Sequence, residues 1–212
     1  AEIEKVSKKQ AYHITRKYLN LDAAITLKNK VTTYSEQVEL KGLTKEFSLS
    51  AMEYLRKRNF DAQKLIKQYD LYYGGIVGDF KFRIVAPVYL DHQIMSLVGR
   101  DITDKSDRRY KVLSVSKSKL PIKSTLYNID NAGRDVIIVE GIFDCWRIGD
   151  SCVATLGTKF TAEQILLLKG FRNAFILFDP EARRQAEKLS AMLQGIVSHV
   201  EIITLDKKVT TF

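Results

Sequence analysis

The stretch Val136-Ile137-Ile138-Val139-Glu140-Gly141-Ile142-Phe143-Asp144, answered by Phe175-Ile176-Leu177-Phe178-Asp179-Pro180-Glu181, decides the fold. Each is a short apolar run ending in carboxylates. In an α/β domain such runs are buried parallel strands, and ligands gather beyond their carboxyl ends, where the strand order reverses. Two strand ends there could bring Glu140, Asp144, Asp179 and Glu181 to one point. Four like charges repel each other, so they are rarely assembled except around a divalent cation. The pattern points to metal-assisted phosphoryl chemistry. Taken singly, each half also has a plainer reading. A Glu-Gly after a strand is an ordinary turn, and Asp-Pro-Glu starts a helix, with Asp as cap, Pro at the first position and Glu against the dipole. The pairing of two such strand ends raises the functional reading.

Residues from 134 onward alternate between strand and helix. The pattern predicts strand 135–140, helix 143–148, strand 152–154, helix 161–169, strand 173–178, helix 181–194 and strand 199–205. Thr161 caps the second of these helices and Gly170 ends it. Such alternation implies a parallel sheet with right-handed crossovers. The polar segment 130–134 marks a domain boundary. Before it, 80–90 and 93–98 read as antiparallel strands joined by a turn at Asp91-His92, with a further strand from Tyr110 to Val115. Helices are expected over 49–60, capped by Ser48 or Ser50, and over 61–68, capped by Asp61. Residues 1–47 are the least readable, with an amphipathic stripe of Ala11, Ile14, Tyr18 and Leu21 and weak alternation over 31–43. Three parts result: an unassigned segment 1–47, a mixed α+β basic subdomain 48–133, and an α/β domain 134–212.

Composition narrows the setting. The 212 residues can bury a real core, and 45% apolar with 28% charged residues is ordinary for a globular protein. No apolar run approaches the roughly 20 residues of a membrane span, and the N-terminus lacks the apolar core of a signal peptide. Cys145 and Cys152 are too few for a zinc site and read as reduced, buried thiols, so a cytoplasmic setting is expected. The absence of an initiator Met suits an excised fragment. The net charge is +9, and 100–123 is dense in Lys and Arg. A basic stretch beside an acidic site suits a polyanion steered by its backbone charge.

Further motifs accompany the acidic ones. Val139-Glu140-Gly141-x-x-Asp144, Val153-Ala154-Thr155-Leu156-Gly157-Thr158 and Leu177-Phe178-Asp179-Pro180-Glu181 follow Phe82-Arg83-Ile84-Val85-Ala86-Pro87-Val88, Val98-Gly99-Arg100-Asp101-Ile102, Arg109-Tyr110-Lys111 and Leu126-Tyr127-Asn128. In this order they resemble the catalytic core of DnaG-type bacterial and phage replicative primases, with its TOPRIM domain, over roughly 48–206. The resemblance implies a Rossmann-like parallel sheet flanked by helices, preceded by a smaller basic subdomain. It implies synthesis of short RNA primers on a single-stranded DNA template from ribonucleoside triphosphates, with Mg²⁺ or Mn²⁺ as cofactor and a replicative helicase as partner in cis or in trans. It also implies a piece of a phage or mobile-element primase or primase–helicase.

By the same resemblance Glu140 and Asp179 are catalytic, and Glu140, Asp144, Asp179 and Glu181 are metal ligands. Arg83, Arg100, Arg109, Lys111, Lys123, Gly157 and Thr158 are expected to contact nucleic acid or nucleotide. Arginines in hairpin strands also pair with neighbouring acids such as Asp101, and Lys123 also reads as a solvated loop charge. Gly157 also suits a tight strand-to-helix turn. The sequence departs from the family at Glu181, where Asp is usual, and a further acidic pair after the last strand is represented only by Asp206. No zinc ribbon or phosphate-loop motor motif is present in this sequence. Alternatives are a TOPRIM nuclease and a catalytically weakened nucleic-acid-binding module of a replication complex.

Overall fold

The computed structural model describes residues 34–205. The amphipathic stripe of Ala11, Ile14, Tyr18 and Leu21, and Asp206, lie outside the described residues. The described chain forms two four-stranded sheets. The first is antiparallel, with strands in order β1-β2-β3-β4, and the second is parallel, in order β6-β5-β7-β8. This is the mixed α/β architecture expected from the pattern of apolar runs.

Two helices lead into the first sheet. Ser48 caps α1 (Leu49–Arg56) by accepting from the Ala51 N–H, and Asp61 caps α2 (Ala62–Gln68) by accepting from the Lys64 N–H. A capping side chain satisfies one of the helix's orphan amides, worth about 1 kcal/mol. Helix α1 stops four residues short of the expected 60. Asn59 takes a left-handed φ of 60°, and the Asn59 and Phe60 N–H groups turn back to the Arg56 and Leu55 carbonyls.

The antiparallel sheet comprises β1 (Tyr72–Tyr73), β2 (Arg83–Leu90), β3 (Gln93–Asp101) and β4 (Tyr110–Val112). The two-residue turn Asp91-His92 has φ of 53° and 59°, the left-handed pair that a tight hairpin requires. Asp130 accepts from both turn amides, at 3.0 and 2.7 Å. Strand β2 begins three residues later than expected, because Phe80 leaves the strand path to pack into the sheet. A Cβ placed on Gly99 would lie 2.5 Å from the Phe80 ring, so only glycine lets that ring seat. Strand β4 ends at Val112 rather than Val115, where a 3₁₀ turn, Val115–Lys117, takes over.

The parallel sheet comprises β5 (Asp135–Val139), β6 (Cys152–Ala154), β7 (Asn173–Ile176) and β8 (His199–Ile202), linked by α3 (Ile142–Ile148), α4 (Ala162–Leu168) and α5 (Arg183–Leu193). Thr161 and Gln164 form a reciprocal capping box at α4. The helix expected over 181–194 starts instead as a 3₁₀ turn, Pro180–Ala182, because the residue before a proline is held extended; Asp179 has ψ 148°. Strand β8 is shorter than expected, ending at Ile202.

One apolar core joins the two sheets. It includes Leu55, Leu71, Ile84 and Val98 from the first half and Val139, Ile142 and Trp146 from the second. Phe143 and Trp146 on α3 pack at 4.7 Å between ring centroids, and the Trp146 indole donates to the Tyr127 hydroxyl at 2.7 Å. Cys145 and Cys152 are buried free thiols. Among the described residues, no helix is long and apolar enough to cross a membrane.

Candidate active site

Strands β5 and β7 are neighbours in the parallel sheet, with Val136 opposite Ala174 and Ile138 opposite Ile176. The chain leaves β5 toward β6 and leaves β7 toward β8, so the crevice beyond their carboxyl ends is a topological switch point. Glu140 follows β5 directly. Asp179 follows β7, and Pro180 turns the chain sharply after it. The Asp179 N–H donates to Glu140 Oε1 at 2.9 Å, which ties the two strand ends together. Gly141 is the N-cap residue of α3, and Asp144 stands in the helix's first turn.

Glu140, Asp144 and Asp179 line a cleft of about 440 Å³. Glu181 lies on an adjoining hollow of about 420 Å³, where it meets Glu140, Asp179 and Thr158. Glu140 and Asp179 therefore belong to both spaces, with Asp144 on one side and Glu181 on the other. The expectation that all four carboxylates meet at one point is not realised as such. Among the described residues no group of three or more His, Cys, Asp or Glu side chains is placed to hold a metal ion.

The electrostatics still suit a cation. Burial pushes the Asp144 carboxyl up to about 6, and the Asp179 and Glu140 charges add to the shift. A site that raises a carboxyl by burial and like charge gains from a positive ligand. Magnesium prefers carboxylate oxygen, keeps several waters, and is commonly bound by one or two carboxylates together with substrate phosphates. Glu140 and Asp179 fit that pattern as a pair.

The opposite wall comes from the antiparallel sheet and from the residues after α1. Arg58, Arg100, Arg109 and Tyr110 line the same cleft as the three carboxylates. Arg100 is buried. Its Nε donates to the Tyr54 hydroxyl at 2.8 Å, and its guanidinium lies over the Tyr110 ring at 4.9 Å and the Phe143 ring at 5.5 Å. The Arg58 guanidinium lies over the Tyr54 ring at 4.7 Å and the Phe143 ring at 5.3 Å. Stacking on Phe143, together with Tyr54 for Arg58 and Tyr110 for Arg100, fixes both guanidinium planes, and such contacts are worth about 0.5–2 kcal/mol each. Phe143 directly precedes Asp144, so one aromatic residue links the basic wall to the acidic one.

Three of the expected contact residues are engaged within the chain. Arg83 is buried and donates to the carbonyls of Arg108 and Arg109 and to Ser106 Oγ, clamping the loop after β3. Lys111 faces Asp79 at 3.5 Å on the other side of the sheet. Lys123 Nζ donates to three carbonyls, those of Thr155, Leu156 and Lys159, at 2.7–3.0 Å. Burial pushes its ammonium pKa down. Lys123 thus braces the turn that carries Leu156 and Gly157 to the cleft, where Leu156 holds a left-handed φ of 59° and Gly157 one of 114°. The Gly157 N–H is spent on the Glu140 carbonyl at 2.8 Å.

Arg58 and Tyr54 stand outside the motifs, and Tyr110, inside Arg109-Tyr110-Lys111, was given no contact. A signal was present for the first two as well: Tyr54 and Arg58 stand four residues apart, one helical turn, and Arg58 closes the basic run after α1.

The architecture is that of a primase fold. One similar structure holds the zinc-binding and RNA polymerase domains of the Aquifex aeolicus primase, with TM-score 0.68 and 22% sequence identity over all of this chain and 59% of that one. Another is the RNA polymerase domain of Mycobacterium tuberculosis primase DnaG, with TM-score 0.50 and 21% identity over 97% of this chain and 72% of that one. The chain thus spans about three fifths of the Aquifex structure. No protein-family model matches the sequence, and no curated protein does.

Proposed function

We propose that this chain is the catalytic core of a DNA primase, joining ribonucleotides on a single-stranded DNA template by nucleotidyl transfer. One observation carries the reading: Glu140 and Asp179, tied together at a switch point, face Arg58, Arg100 and Arg109 across one cleft. A wall of carboxylates opposite a wall of arginines is the complement of a polyphosphate carrying a divalent cation. The primase fold supports the same reading, and so does the order of the sequence motifs.

In this reading the 3′-hydroxyl of one nucleotide attacks the α-phosphate of the next, a new P–O bond forms, and pyrophosphate leaves. The arginines hold and neutralise the triphosphate, and their fixed planes keep it aligned with little reorganisation. Glu140 and Asp179 would hold Mg²⁺ or Mn²⁺, which when bound polarises the phosphoryl oxygens and stabilises the leaving group. In this reading Glu140 would also organise that cation or take the proton of the attacking hydroxyl. The remaining expectations, a helicase partner and an origin in a phage or mobile element, belong to the same proposal.

That no group of three or more acids among the described residues is placed to hold a metal ion favours a second reading, a weakened module that binds nucleic acid without catalysis. Incubating the 212-residue chain with single-stranded DNA, ribonucleoside triphosphates and Mg²⁺ decides among these. The proposal expects short RNA products that depend on template and metal. Nicking of DNA without nucleotides would point to a nuclease instead, and DNA binding with neither activity would leave the binding module.

A further inference from the structure

Helix α3 carries a cation, Arg147, that does not line the cleft. It stands three residues after Asp144 and reaches the segment that follows α1. Its Nη2 donates to the Arg58 carbonyl at 2.6 Å and its Nη1 to the Asn59 carbonyl at 3.3 Å. The guanidinium carbon also lies over the Phe60 ring, 4.2 Å from its centroid. These carbonyls stand just past the end of α1, where a helix leaves oxygens unpaired and its dipole favours a cation. The Arg147 Nε is buried with no hydrogen-bond partner among the described residues. A stranded donor on a charged group is costly, and such costs persist where a position serves more than stability.

Arg58 is thereby held at both ends by one face of α3. Phe143 and Arg147 are four residues apart, so they are neighbours on the helix surface. The Arg58 guanidinium lies over the Phe143 ring at 5.3 Å, and Arg147 grips the carbonyl of the same residue. Asp144, between them in sequence, lines the cleft with Glu140 and Asp179. One helix therefore joins a residue of the acidic wall to the backbone of the basic wall. We infer that Arg147 is a positioning residue of the nucleotide site. It fixes how far Arg58 stands from the carboxylates, and so matches the cleft to a triphosphate with its bound cation. The inference rests on the nucleotidyl-transfer reading and adds what sets the geometry of that site. Such a clamp matters because a misplacement of about 1 Å from a remote change can cost roughly 100-fold in rate.

A double-mutant cycle on the full chain tests this, with binding of Mg²⁺-ATP and of inorganic tripolyphosphate measured where every variant is folded. Arg58→Ala removes the guanidinium, and Arg147→Met removes the clamp but keeps a stem to pack on Phe60. Alone, Arg58→Ala is expected to weaken both ligands about 10- to 100-fold, as for loss of a charged hydrogen bond. Arg147→Met should weaken both about 5- to 20-fold in the wild-type background. In the Arg58→Ala background the same change should cost less than about two-fold, because a residue acting through Arg58 has nothing left to position. Arg147→Lys keeps a cation against the Arg58 carbonyl and should recover part of the loss. It replaces Arg147→Met in the cycle if that variant does not fold. An equal loss in both backgrounds would overturn the inference, since Arg147 would then act independently of Arg58. So would a lower melting temperature with unchanged affinity in the wild-type background, the mark of a merely structural role. Full affinity in Arg58→Ala would overturn it too, while leaving the transfer reading to Arg100 and Arg109. A wild-type chain that binds neither ligand would sink the nucleotidyl-transfer reading itself, and the positioning role with it.

Discussion

The two faces of the antiparallel sheet carry similar residues to opposite uses. On one face Arg100 and Tyr110 pair across β3 and β4 and look into the acidic cleft. One residue further along the same ladder, Gly99 and Lys111 look the other way, where Phe80 fills the space over Gly99 and Lys111 meets Asp79. Side chains alternate across a strand with period two, so a single step along β4 moves a cation from the site to a solvated surface pair. The same contrast holds among the longer-range cations. Arg58 and Arg109 line the cleft, whereas Arg83 and Lys123 spend their side chains on backbone carbonyls. A basic stretch read from sequence is thus two populations, one that faces a ligand and one that holds the walls.

Substitutions can break that division or sharpen it. The largest stability effect is expected at Lys123, whose removal strands three carbonyls of the turn beneath the cleft. Lys123→Met should cost about 2–3 kcal/mol, which in a chain of this size lowers Tm by roughly 5–10 °C. A thermal melt of the variant checks this, and an unchanged Tm combined with lost nucleotide binding would return Lys123 to the ligand-contacting group. Arg83→Ala is expected to follow at about 1–3 kcal/mol, through release of the loop held at Arg108 and Arg109. Chemical denaturation should show the lower stability, with nucleotide affinity of the still-folded protein changed less than stability implies. The smallest effect belongs to Lys111. Its pairing with Asp79 is exposed, so Lys111→Ala should change stability by no more than about 0.5 kcal/mol and leave nucleotide binding within about two-fold. A ten-fold loss of binding there would mean that the outer face of the sheet also meets the ligand.

Much of the fold was legible because its signals are local. The apolar runs set the parallel strands, the caps at Ser48, Asp61 and Thr161 set helix starts, and Asp91-His92 set the hairpin. The shortfalls have local causes too, since Asn59 and Pro180 redirect the chain within one turn. The site was legible in part. Apolar runs ending in acids placed Glu140 and Asp179 on adjacent strand ends, and the structure puts them there. The reach of Lys123 across more than thirty residues, and the stacking of Arg58 on Phe143, depend on tertiary packing, which periodicity and capping do not encode. The division of the acids between two hollows is of the same kind. Glu181 stands in the 3₁₀ turn that Pro180 opens and lines the second hollow.

The central claim is that the paired strand ends and the arginine wall form one nucleotidyl-transfer site. Its most direct measurement is ribonucleotide incorporation on single-stranded DNA with Mg²⁺, comparing the wild-type chain with Glu140→Gln, a change that keeps shape and removes charge. The account predicts template-dependent synthesis by the wild type and a fall of about a hundred-fold or more in the variant, with the melting temperature little changed. Full activity in Glu140→Gln would contradict it.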